Sequence, residues 1–177
     1  MFAILIALVL QTNLAQWKQW QCEGTPVTGR YFNYSVGFSV AAPPGVQGRR
    51  GQSSGPEQGI AFPLTHDCNR VVVAFGEPNS LAWPTPAAAI NWTVQASIRG
   101  DPQAKINRYT TRIGKLNAAG ATIRHRATPD IEDIVIAFRP GGGLVYQARL
   151  VSVPNQHDQD FDAFTRVLRE FRLEAWR

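Results

Sequence analysis

The stretch that most constrains this chain is residues 133–153, where two runs, DIVIAFRP and LVYQARLVSV, flank three consecutive glycines. Both runs are rich in the β-branched and aromatic residues that strands favour. Glycine reaches positive φ without steric cost, so Gly141, Gly142 and Gly143 allow the chain to reverse between them. An antiparallel hairpin is the expectation, and the rest of the chain has to be built around it.

Five more strands follow from pattern. Residues 31–42, YFNYSVGFSVAA, alternate around Phe38, Val40 and Ala42 until Pro43 ends them. Residues 59–64 and 70–77 are short strands, the second apolar enough to lie in mid-sheet. Residues 105–114, KINRYTTRIG, and 121–127, ATIRHRA, predict another hairpin with its turn around 117–120. Residues 43–59, with glycines, serines and prolines and no periodicity, read as a loop.

Two helices complete the set. Thr85 before Pro86 is an N-cap with proline at the first helical position, and Ala87, Ile90, Val94 and Ile98 mark a buried face until Gly100 stops it. A second helix is expected from Asp158, with Asp158, Asp160 and Asp162 capping free amides and favouring the dipole. Phe161, Phe164, Leu168 and Phe171 form its buried stripe, and a short strand over 172–176 follows. This order predicts an α+β fold: a single antiparallel sheet with helices packed against it.

At 177 residues, with 44% hydrophobic and 18% charged side chains, one globular domain is expected. The first ten residues, MFAILIALVL, have the length of a signal-peptide core and are too short to span a bilayer. Residues 1–15 therefore read as a signal peptide, 16–30 as an N-terminal segment and 31–177 as the domain, with a buried N-terminal strand as the other reading of the apolar run. No second long apolar run exists, so no transmembrane segment is expected in the mature chain, whose place would be extracytoplasmic. Cys22 and Cys68 in an exported chain suggest a disulfide, which would stabilise the fold by about 4 kcal/mol in the chain-entropy model. Two cysteines so far apart make no zinc spacing. The net charge of +5 and pI near 9.7 favour anionic partners.

The opening "VGFSVAAPPG" after an aromatic pair resembles PsbP-like domains, a fold shared with the Ran-binding Mog protein; Tyr31, Gly37, Phe38, Ser39 and Pro43 carry the likeness. "IGKLNAAGATIRHR" (113–126) is similar to the family's mid-domain turn, and "FDAFTRVLREFRLE" to its final helix and last strand. The likeness spans residues 31–175 and consists of packing signatures. It implies an exported bacterial member acting as a non-catalytic binding or assembly module of the cell envelope, with no cofactor.

Candidate chemistry is sparse. GQSSG (51–55) fits the G-x-S-x-G elbow, and Asp133, His125 and His157 lie downstream of Ser53. An elbow needs a strand-to-helix turn in a parallel sheet, however, and antiparallel hairpins do not provide one. A secreted serine hydrolase using Ser53 is thus the alternative function. The repeated His66-Asp67 and His157-Asp158 pairs lack metal-ligand spacing, so no metal is expected. Trp17 and Trp20 either bind a partner or fold back on the sheet. The most directional signal is cationic: Arg108 and Arg112 share one face of their strand, as do Arg124 and Arg126 of theirs. All four are therefore expected to project from a single sheet face, as either a solvated surface or a patch for an acidic protein, a lipid headgroup or a wall polymer. Nucleic acid is a poor partner for an exported chain.

Overall fold

A computed structural model of the chain describes residues 24–50, 59–141 and 143–175. In chain order the elements are β1 (Thr25–Val27), β2 (Arg30–Asn33), β3 (Phe38–Ala41), β4 (Gly48–Arg50), β5 (Gly59–Pro63), β6 (Val71–Pro78), α1 (Pro86–Ser97), β7 (Lys105–Ile113), β8 (Leu116–Arg124), β9 (Ile131–Phe138), β10 (Leu144–Ser152), α2 (His157–Glu170) and β11 (Arg172–Leu173). Eight strands make one antiparallel sheet in the order β1-β4-β5-β6-β10-β9-β8-β7, and β11-β3-β2 make a second, smaller one. The expected single sheet is therefore two.

The split has a local cause. Residues 31–42 do not run as one strand, because the Asn33 side-chain oxygen accepts from the backbone N–H groups of Ser35 and Val36, which turns the chain after β2. Gly37 completes the reversal at φ +64.

Both faces of the large sheet are covered. Ile134 and Ile136 of β9, with Ala121, Ile123 and Val145, pack under Ala89, Ile90 and Val94 of α1. Val135 and Ala137 point the other way and join Tyr146, Ala148 and Leu150 beneath Phe164, Val167 and Leu168 of α2 and Phe38 and Val40 of the small sheet. Two-sided burial is why β9 and β10 read as continuous apolar runs, without the alternation of a half-exposed strand.

The helices bear out most of their signals. Thr85 Oγ1 accepts from Ala88 N–H at 3.2 Å, with proline entering the first turn of α1. At α2 the buried stripe holds, and Phe171, just past its end, stacks on Phe38 at 4.9 Å between ring centroids. The expected aspartate caps do not form: Gln156 holds the N-cap position without a side-chain bond. Asp160 is buried instead, accepting from Ser152 and pairing with Arg70 at 3.4 Å. A carboxylate with a cation within reach gains more there than at a solvated cap. The last strand is also shorter than expected, at two residues.

Candidate functional site

The β7–β8 hairpin decides the fate of the arginines. Its turn is Gly114 and Lys115, with Ile113 opposite Leu116, and 117–120 belong to β8. Gly114 sits at φ +56, donates to Leu168 O at 2.7 Å and lies so close to Phe171 O that a Cβ would collide with it. Only glycine meets both demands. A turn of even length pairs even-numbered with odd-numbered positions, so Arg108 faces Ala121 and Arg112 faces Asn117 on the α1 side. Arg124 faces Lys105 on the α2 side. Arg126 lies beyond β8, its backbone N–H bonded to Asp101 Oδ2 at 2.6 Å. The four arginines do not share a face.

What they share is an edge. β7 ends the large sheet and pairs only with β8 among the described residues. Lys105, Arg108, Arg112 and Lys115 are exposed along it, and none of them makes an ion pair among the described residues. Arg108 is held by one neutral contact, Nε donating to Asn91 Oδ1 of α1 at 2.9 Å. Residues 105–129 carry six cations (Lys105, Arg108, Arg112, Lys115, Arg124 and Arg126) and no aspartate or glutamate. A shallow open depression lined by Thr110, Thr111, Arg112, Asn117 and Ala118 wraps the hairpin end of this edge.

Behind the edge, Glu132 and Asp133 of β9 point to opposite faces, each towards a histidine. Glu132 is buried with Arg149 at 3.2 Å and His125 at 3.7 Å. Burial alone would raise its pKa, but the Arg149 guanidinium and then His125 hold it below the usual glutamate range. His125 is raised, chiefly by Glu132 and against burial, with Asp101 and Asp130 adding smaller pulls. At 3.7 Å that contact is an ion pair and longer than a hydrogen bond. Asp101 in turn accepts from Ala127 and Arg126 N–H, which lowers its own pKa and ties the β8–β9 connection to the end of α1.

On the α2 face Asp133 accepts from Thr122 and contacts His157 Nε2 at 2.7 Å. Burial raises its pKa, with Thr122 and His157 opposing. No described serine or cysteine hydrogen-bonds either histidine. Tyr109 lies beside this group with its ring over Gly120 and its hydroxyl buried without a partner. Sequence reasoning noted Asp133 and His157 only as possible triad members; their adjacency depends on how α2 docks.

Ser53, Cys22, Trp17, Trp20 and Trp176 lie outside the described residues. Cys68 is buried and is not a free thiol. His66 is exposed in the β5–β6 connection, far in sequence from His125 and His157, and no three potential ligands cluster among the described residues. No described helix is long and apolar enough to cross a membrane.

No protein-family model matches the sequence, and no curated protein is similar to it. Solved structures do match. The PsbP protein CyanoP of Synechocystis sp. PCC 6803 superposes with a TM-score of 0.59 at 15% identity, over 85% of this chain and 95% of its own. The chain has the PsbP-like fold. That fold extends to the Ran-binding protein Mog1p of Saccharomyces cerevisiae, with a TM-score of 0.55 at 7% identity over 85% of this chain and 97% of that one. It also includes LpqN of Mycobacterium tuberculosis, described as involved in cell envelope biogenesis, with a TM-score of 0.58 at 13% identity over 92% and 98% of the two chains. At these identities the likeness concerns the fold.

Proposed function

We propose that this chain is an exported, non-catalytic binding or assembly module of the cell envelope that recognises an anionic partner through the cationic β7 edge. The observation that carries the reading is the run of exposed cations on β7 and its turn, without an ion pair among the described residues, in a stretch without a single carboxylate. Unpaired surface cations keep their full field, and arginine's planar fork suits carboxylates and phosphates. The role of LpqN in envelope biogenesis is consistent with the setting. Arg108 and Arg112 make the binding pair; Arg124 and Arg126 add field from the other face and from the β8–β9 connection. A disulfide between Cys22 and Cys68 belongs to the same extracytoplasmic reading, and intact mass with and without reductant tests it.

Retention on isolated envelope material tests the function. Wild type should be held at low salt and released as salt rises, and Arg108→Gln/Arg112→Gln should elute early with unchanged folding. Equal retention of the two proteins would leave these arginines only a solvating role.

A further inference from the structure

The cations straddle an edge instead of paving a face, and this restricts the shape of the partner. A flat anionic surface laid on the α1 side would meet Arg108 and Arg112 and miss Lys105; one laid on the α2 side would do the reverse. A ligand lying along β7 meets both sets. We propose that the partner is an extended acidic polypeptide segment that adds to the large sheet as a ninth strand against β7. The inference rests on the anionic-partner reading above and deepens it.

Three observations support it. β7 is nine residues long, contains no proline or glycine and keeps an unbroken register with β8, so it carries no bulge. In an antiparallel ladder every second residue turns its N–H and C=O away from the paired neighbour, so β7 presents a regular row of unused backbone groups. The opposite edge, β1, is three residues long and contains Pro26. The depression over Thr110, Thr111, Arg112, Asn117 and Ala118 lies on the edge itself, with residues from both faces in its wall. Finally, the unpaired cations reach out on both sides of that row, where alternate side chains of an added strand would project. Acidic residues at successive positions of such a strand would meet Arg108 and Arg112 on one side and Lys105 on the other.

The experiment uses the purified chain and two synthetic peptides of equal charge. One carries glutamates in adjacent pairs between valines and threonines, so that its acidic side chains project to both faces; the other replaces the valines and threonines with proline, which cannot donate to a ladder. The first should bind with an affinity that falls as salt rises, and should slow amide exchange in β7 and leave β1 unchanged. The proline peptide should bind about tenfold more weakly or worse, as expected when ladder bonds are lost. In a charge-reversed protein, Arg108→Glu/Arg112→Glu, preference should switch to the same strand peptide carrying lysine for glutamate. Equal binding of the two acidic peptides, or binding without β7 protection, would overturn strand addition while leaving the anionic surface standing. Binding of neither peptide, with envelope retention intact, would also overturn strand addition. Loss of both would remove the anionic reading as well.

Discussion

The two ends of the large sheet are built on opposite principles. At one end β1 is short, holds a proline and sits beside β4, whose Arg49 and Arg50 are its cross-strand partners. At the other end β7 is long, regular and free of breakers, with Arg108 and Arg112 on the strand itself. Both ends carry an arginine pair, so arginines alone do not distinguish them. The distinction is the backbone: one edge offers almost no ladder, the other a full one. Edges of the second kind invite pairing, and natural proteins usually blunt them. Here lysine and arginine guard against self-pairing, since two copies of a cationic edge repel, yet leave the edge open to an acidic strand.

The open edge must also be stiff, and its support comes from α2. Ile113 at the end of β7 shares a core with Phe164 and Leu168, and Gly114 bonds to the Leu168 carbonyl. Phe164→Ala should cost about 3–5 kcal/mol of stability in denaturant unfolding. Amide exchange should then quicken in β7 more than in β1; equal quickening would mean that α2 does not brace this edge in particular. Next in size is Gly120→Ala, which sets a methyl against the Tyr109 ring across the hairpin and should cost about 1–3 kcal/mol. The same change should weaken strand-peptide binding by tilting β7.

A smaller effect is pH-dependent. His125 is raised above the value of free histidine, so its ion pair contributes stability below about pH 6.5 and loses it as pH rises through the folded value. Glu132, lowered, contributes above the usual glutamate range and loses its share as pH falls. Thermal unfolding of the wild type should therefore show a decline as pH rises above about 6.5 that His125→Gln lacks. Matching profiles for the two proteins would remove His125 from the account.

The sequence made the elements of this fold readable where local signals were strong: the Thr85-Pro86 start of α1, the glycine turn of β9 and β10, and the phenylalanine stripe of α2. It misplaced what depends on contact. Asn117 to Gly120 has the composition of a turn, but Gly114 is the residue that must approach Phe171 O, and that need arises only once α2 has docked. The shorter turn fixed which arginines share a face. The aspartates of α2 read as caps because the partner of the buried Asp160, the half-buried Arg70, comes from β6's threshold more than eighty positions away. The residues of the cationic edge were all legible as arginines and lysines; their gathering on an edge was a matter of register, which no single strand records.

The central claim is that β7, and not cationic charge at large, is what an anionic strand meets. It is tested by titrating the valine, threonine and glutamate peptide against three proteins: wild type, Arg108→Gln/Arg112→Gln and Arg49→Gln/Arg50→Gln. The two variants lose the same charge, from opposite ends of the sheet, and changes of this kind should leave stability within about 0.5 kcal/mol per site. The account predicts a loss of about tenfold or more for the β7 pair and little change for the β4 pair. Equal weakening in both variants would contradict it.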